Sequence, residues 1–277
     1  MTFESTGSEA ARGGFRNEGA LEDAINGRTA LGIQLLDAMA VDASSSVRAS
    51  QVASRLSASS LGALLGISAI SQEVLRASTQ HQKADLLVNV AGDRRVTASL
   101  KKANAGSDFN QVDRRPVDVY QRFWEFSDEV ALSLKLFTGD LSPSEFAKHS
   151  QGLRLSEDHQ RIAFPDLSAA QQAAVLDFFK ANKHKIVSDL VRGKGPLAAD
   201  FMIVTQQDGP ITRIHISRMS DVVDYLCQPP VSVGPRTTFC VGHLTAQRKG
   251  GTPDPTSLQF KVKPSILLNV KGVTIVS

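Results

Sequence analysis

The stretch K83-A-D-L-L-V-N-V-A-G-D-R-R-V-T-A-S-L-K-K102 decides the fold. Residues 83–90 (KADLLVNV) and 96–103 (VTASLKKA) are short runs of aliphatic and β-branched residues around the turn AGDRR (91–95), which predicts a β-hairpin. If the hairpin folds about Asp93, Asp85 lies across from Lys101, and odd-numbered residues of both strands share a face. Asp85, Ser99 and Lys101 then converge near one end of the hairpin. A carboxylate there can hold a hard divalent cation, which prefers oxygen ligands. The ammonium beside it can position or deprotonate a water, or stabilise a developing phosphate charge. On a rigid hairpin this combination suits phosphodiester hydrolysis. A surface cross-strand Asp–Lys pair, worth about 0.2–1 kcal/mol, explains the same spacing. A one-residue slip of register would separate the two.

Towards the N-terminus, Asn17 is placed to cap a helix through Glu18, Leu21 and Ile25. Leu31, Leu35 and Met39 mark the face of a second helix. Residues 43–80, rich in Ser and Ala, read as short helices separated by serine caps. Past the hairpin, NAGSDFNQVDRR (104–115) reads as a loop. A helix then opens at Pro116 and runs to about Gly139, with Val119, Phe123, Phe126 and Val130 facing a core. After a linker over 141–167, Ser168 and Gln171 form a capping box for a long helix ending at Gly193. Strands over 199–205 and 211–217 flank a turn at Asp208-Gly209-Pro210, and a helix through Val222, Val223 and Leu226 follows. TFCVGHLTAQRK and SLQFKVK, joined by GGTPDP, close the chain as two strands. The class is α/β of the α+β type, a mixed central sheet flanked by helices. Residues 1–140 would form a helical N-terminal region with the hairpin, and 141–277 the rest of the core with a recognition region, the two together as one integrated domain or as separate ones.

Composition narrows the function. With 277 residues, 42% hydrophobic and 21% charged, the chain can bury an ordinary core and is neither disordered nor collagen-like. The longest apolar stretch, Leu61–Ile70, is too short to span a bilayer, and MTFESTGSEAARGG has no apolar secretion core. Two cysteines, Cys227 and Cys240, require neither a zinc site nor an oxidising compartment. A soluble cytoplasmic protein without membrane association is expected. The net charge of +3 permits nucleic-acid binding without demanding it. The charge is clustered, however. Arg248, Lys249, Lys261, Lys263 and Lys271 face one acid, Asp254, over residues 241–277. Arg94, Arg95, Lys101, Lys102, Arg114 and Arg115 make a second group.

A chain holding KADLLVNV, then SLKK, then FNQVDR resembles the nuclease cores of the PD-(D/E)XK superfamily, specifically type II restriction endonucleases. GHLTAQRKGG and LQFKVKP resemble the C-terminal portion of such enzymes, in the HpaII-like group. The resemblance implies a restriction-endonuclease-like core, Mg²⁺-dependent cleavage of double-stranded DNA at a short sequence, and a cognate DNA methyltransferase as genetic partner. It also allows a homodimer, the assembly that suits twofold-symmetric sites. Asp85 matches the metal-binding aspartate and Lys101 the catalytic lysine. Ser99 stands where the family has Glu or Asp, and Ala84 where it often has Pro. The lost carboxylate has three remedies: the Leu100 carbonyl with the Ser99 hydroxyl, a migrant acid, or loss of activity. Glu18 on the N-terminal helix is the best migrant, although an acid in a first helical turn also simply complements the helix dipole. Gln111, ten residues past Lys101, is placed to orient water or touch phosphate. A catalytically inactive DNA-binding protein on the same fold is the alternative that Ser99 favours.

In SLQFKVK, Leu258, Phe260 and Val262 alternate with Gln259, Lys261 and Lys263, a half-buried strand with a basic outer row. With Gln247, Arg248 and Lys249 these residues are candidates for DNA contact, because Arg reads guanine, Gln reads adenine and Lys neutralises phosphate. Lysines protecting a sheet edge would look the same. Asp200, heading the second hairpin, with Gln259-Phe260-Lys261 forms a rival catalytic set. Pro165-Asp166 spells the superfamily's dipeptide but precedes a helix.

Overall fold

The computed structural model describes residues 18–52, 56–68, 70–92, 94–103, 109–157, 160–208, 211–249 and 256–276. Asn17, Asp93, Gly209-Pro210 and the GGTPDP loop lie outside them. The chain begins with helices α1 (18–26) and α2 (Ala30–Ala38), the latter capped by Thr29. Then come β1 (Val47–Gln51), α3 (Ala58–Leu65), α4 (Gln72–Gln80), β2 (Leu86–Val90), β3 (Arg94–Ala103) and β4 (Asn110–Arg115). Helices α5 (Val117–Trp124), α6 (Asp128–Thr138), α7 (Pro143–His149), α8 (Ala169–Ala181) and α9 (Lys183–Val191) follow. The remainder is β5 (Phe201–Asp208), β6 (Ile211–Arg218), α10 (Met219–Cys227), β7 (Ser232–Val233), β8 (Phe239–Val241), β9 (Leu244–Arg248), β10 (Leu258–Val262), α11 (Pro264–Leu267) and β11 (Val273–Val276).

Two compact units share the chain, and each carries one sheet. The first takes the described residues within Met1–Asp108, Val191–Val222 and Lys263–Ser277; the second takes Phe109–Leu190 and Val223–Val262. These units are sets of mutual contacts, whereas the 1–140 and 141–277 division reads composition and motif position.

The first sheet has the order β1-β2-β3-β5-β6-β11, antiparallel except for the parallel pair β3–β5. A parallel neighbour needs a long crossover, and here that connection contains residues 109–190 of the second unit. Leu86, Val88, Val96, Ala98 and Leu100 pack with Leu21, Ile25, Leu35 and Leu36 of α1 and α2. Leu87 packs instead with Leu61 and Leu65 of α3. Strands covered on both faces read as apolar runs rather than as clean alternation, as LLV (86–88) does.

The second sheet, β4-β10-β9-β8-β7, is antiparallel. Leu258, Phe260 and Val262 are buried. Phe260 sits edge-on to Tyr120 and Trp124, with centroids 5.6 and 5.8 Å away. Trp124 Nε1 donates to the buried Asp189 Oδ2 at 2.8 Å.

Several expectations are corrected. Residues 47–51, read as part of a helical segment, form edge strand β1, because their backbone pairs with β2. The serine caps are present: Ser57 caps α3 and Ser71 caps α4. The helix read from Pro116 to Gly139 is two helices. Glu125 ends the first in a left-handed conformation (φ 59°) and Ser127 caps the second. The buried face of α5 is therefore Val117, Tyr120 and Trp124, while Val119 and Phe123 are half-buried. The capping box at Ser168 and Gln171 is formed, and the helix it opens breaks at Asn182. Segment 104–115 contains β4, the 141–167 linker contains α7, and TFCVGHLTAQRK folds back at Gly242 (φ 63°) into β8 and β9. There the left-handed backbone requires glycine, since a Cβ would also lie 2.0 Å from Leu226 O.

Candidate active site and nucleic-acid interface

The expected hairpin forms, with a different register. Leu86 pairs with Ala98 and Val90 with Arg94, so the fold is about Gly92 (φ 81°) and not Asp93. Lys101 therefore does not lie directly across from Asp85. The error is an even number of positions, so Ser99 and Lys101 keep a common face.

One residue before β2, Asp85 joins the ladder by donating its N–H to Ala98 O at 2.9 Å. Its Oδ2 accepts from Leu100 N at 2.7 Å and from Ser99 Oγ at 3.0 Å. Lys101 Nζ donates to Ser99 Oγ at 3.1 Å and to Leu100 O at 2.9 Å, and stands 3.9 Å from Asp85 Oδ2. Ser99 is buried and bridges the anion and the cation, whose side chains retain 34% and 17% exposure. The pair is neither sealed off nor freely solvated. Glu18, on α1, joins the cluster electrically. Burial, then the Asp85 charge, pushes its carboxyl above the usual glutamate range, against a lowering by Lys101. The two carboxylates thus repel each other across a site that also offers the Leu100 carbonyl. All three donors are oxygens, which fits a hard divalent cation. Among the described residues no group of three or more His, Cys, Asp or Glu is brought together as a metal site.

In the rival set, Asp200 is engaged within its own sheet. Asp200 Oδ2 accepts from Thr97 N at 3.1 Å and Thr97 Oγ1 at 3.0 Å, tying β3 to the start of β5. Gln259 and Lys261 belong to the other sheet. Pro165-Asp166 sits in a single 3₁₀ turn, Phe164–Asp166.

In the second unit Gln259 pairs across strands with Gln247 of β9 and Arg114 of β4, and Lys261 with Thr245 and Gln111. Gln247 Nε2 donates to Gln259 Oε1 at 3.2 Å, and Gln259 Nε2 donates to Gln111 Oε1 at 2.6 Å. A bulge between Phe260 and Lys261 sets this arrangement. Burial pushes the Lys261 ammonium below the usual lysine range. Arg248 lies apart from the glutamines. Its register partner is Leu258, not Gln259, so it projects to the opposite face and its Nη1 donates to Ser156 Oγ at 3.3 Å. Lys249 continues the strand by donating its N–H to Ser257 O, and its carbonyl accepts from Arg161. Lys263 precedes α11 as its N-cap.

Arg114 was missed by the reading of individual sites. It is exposed, beside Gln259, and its guanidinium makes no ion pair or hydrogen bond among the described residues. Its signal was the basic cluster in VDRR, obscured because β4 read as a loop. The other arginines of that cluster are structural. Arg94 and Arg95 donate to the carbonyls of Ala40 and Leu65, and Arg115 pairs with Asp113 at 2.9 Å.

The crystal structure of restriction endonuclease MspI in complex with its cognate DNA matches 94% of this chain and 93% of its own, with a TM-score of 0.54 and 15% identity. That likeness establishes the fold, a mixed sheet flanked by helices. No curated protein matches the sequence. The sequence profile of the R.HinP1I restriction endonuclease matches residues 60–268, a span that includes Asp85, Lys101 and all three glutamines. The chain belongs to the R.HinP1I restriction endonuclease family.

Proposed function

We propose that the protein hydrolyses phosphodiester bonds of double-stranded DNA at a short specific sequence with Mg²⁺. The observation that carries this reading is the hydrogen-bonded chain Asp85–Ser99–Lys101, with the Glu18 carboxyl raised beside it. Glu18, Asp85 and the Leu100 carbonyl would hold the cation, which when bound supplies Lewis acidity at the scissile phosphate. Lys101 uses two N–H groups on Ser99 and Leu100. Its third is left to orient an attacking water or meet the phosphate oxygens as charge develops in line. Asp85, held by Leu100 N and Ser99, keeps its other oxygen free of those bonds. Arg114, Lys261, Gln111 and Gln247 would meet duplex DNA, with Gln259 held between the two glutamines and Lys249 and Lys263 as further candidates. The MspI neighbour is a complex with cognate DNA, which supports that role. A cognate methyltransferase, action as a homodimer on twofold sites and residence in the cytoplasm complete the proposal. Among the described residues no helix is long and apolar enough to cross a membrane.

Ser99 in place of a carboxylate favours a second reading, a DNA-binding protein without cleavage. One experiment separates the two. Purified protein is incubated with plasmid and phage DNA in Mg²⁺ or in EDTA. Discrete fragments only with Mg²⁺ support the enzyme. Salt-sensitive retention without cutting supports the second reading, and absence of both rejects each.

A further inference from the structure

The three glutamines of the second sheet do not have equal roles. Gln111 is exposed and Gln247 half-buried, but Gln259 retains only 8% exposure, and both ends of its amide are engaged. Gln259 thus has little left to offer a ligand. Its neighbours each spend one end of the amide on it and keep the other. Gln111 gives its Oε1 to the ladder and keeps its NH₂; Gln247 gives an N–H and keeps its Oε1.

We propose that Gln259 is a positioning residue for sequence recognition: it touches no base, and by holding Gln111 and Gln247 in a directional amide ladder it fixes which hydrogen-bonding edge each presents to duplex DNA. The proposal rests on the reading that this face meets DNA. An amide can donate or accept, so a free glutamine presents either edge and discriminates weakly. A ladder of three amides joined head to tail has only two consistent senses, with all three turned together. Reversing one member alone sets donor against donor or acceptor against acceptor, at the cost of an unsatisfied group. The surroundings favour nucleic acid over an acidic protein ligand. The residues paired with Gln259 and Lys261 on this face are Arg114, Gln111, Gln247 and Thr245, so two cations stand there without an acid. Neutral amides between cations match base edges between phosphates.

The sense of the ladder supplies the test. In Gln259→Glu the central group only accepts, so Gln111 and Gln247 must both donate to it, and one of them reverses whichever sense holds in the native protein. In Gln259→Leu neither is held. Full-length protein and both variants are used to select from a library of synthetic duplexes with a randomised central segment, with Ca²⁺ replacing Mg²⁺, and the bound sequences are counted. Native protein should enrich a defined site. Q259E should change preference by about tenfold or more at one base position and its symmetry mate. Q259L should flatten preference at the positions read by Gln111 and Gln247. A residue serving only stability would weaken all sequences together and leave their ratios unchanged, so unchanged ratios in folded Q259E and Q259L overturn the ladder. If thermal melting shows either variant unfolded, the end residues decide. Gln111→Ala and Gln247→Ala must each relax one position, and failure of both to do so overturns the proposal. If native protein enriches no sequence, specific recognition itself fails and takes the ladder with it. Native enrichment with unmoved variants rejects the ladder alone.

Discussion

The two sheets gather groups of different chemistry. At the hairpin of the first, ionised groups are crowded together: Asp85 and Lys101 lie 3.9 Å apart, and Glu18 is close enough for its proton affinity to respond to both. On the second sheet the central groups are neutral amides joined side to side, with Arg114 and Lys261 beside them. Charge at close quarters is what a developing phosphate transition state needs, because its stabilisation depends on field strength. Reading a base depends on direction, which a fixed amide supplies and a solvated charge does not. The comparison teaches that Ser99, where the resemblance implies a carboxylate, alters the charged site only. It leaves the amides of the second sheet unchanged, so the proposed cleavage and the proposed recognition can be broken separately.

The largest expected effect tests that separation. Lys101→Ala should lower the rate of phage-DNA cutting by about 10²–10⁴-fold while gel retention of the same DNA persists. Full cutting by this variant would move the chemistry away from the hairpin. On the recognition side, Arg114→Ala should weaken specific binding by about 1–3 kcal/mol if it reads a base. If it meets a phosphate, the salt slope should drop by about one instead. Arg248→Ala serves as the control on the opposite face. Loss of sequence choice in Arg248→Ala with none in Arg114→Ala would reverse the assignment of faces. Asp200→Ala leaves the buried Thr97 without its carboxylate acceptor. Thermal stability should fall by about 1–3 kcal/mol with no change in cutting rate per folded molecule. A specific catalytic loss there would revive the rival site.

How much of this was legible varies with the range of the interaction. The hairpin was readable because its strands are adjacent in sequence and their parity survives an error of the turn by one residue. Gly92, which takes the left-handed turn, carried more information than Asp93. Caps at Ser57, Ser71 and the Ser168–Gln171 box were readable because they are local. Strand β1 was not, since residues 47–51 gain their ladder only from β2, almost forty residues later. The glutamine ladder spans 148 residues between Gln111 and Gln259, and no spacing rule anticipates it. The face of Arg248 was not legible for a simpler reason. It sits between Gln247 and Lys249 in sequence, yet alternation along a strand sends it to the other face. Glu18 was named from the resemblance, and its link to Asp85 and Lys101 appears only once α1 packs on the sheet.

Glu18 also gives the smallest and most discriminating prediction. Its carboxyl is raised by burial and by Asp85, so the folded protein holds the proton more tightly than the unfolded chain does. The sign follows by linkage. Below the ordinary glutamate range both states are protonated, and the raised affinity contributes its full stabilisation. As the pH climbs through the raised folded value, the proton leaves and that contribution is lost. At neutral pH an ionised Glu18 therefore costs stability in protein without metal. In EDTA, Glu18→Gln should melt at a higher temperature than the native chain near pH 8, and the difference should shrink towards zero near pH 4. With Mg²⁺ the order should reverse, because a cation between Glu18 and Asp85 stabilises only the protein that has both carboxylates. A Gln variant that melts lower in EDTA at pH 8 would make Glu18 a simple dipole-complementing residue of α1. The same variant gaining as much from Mg²⁺ as the native chain would remove Glu18 from the cation's ligands.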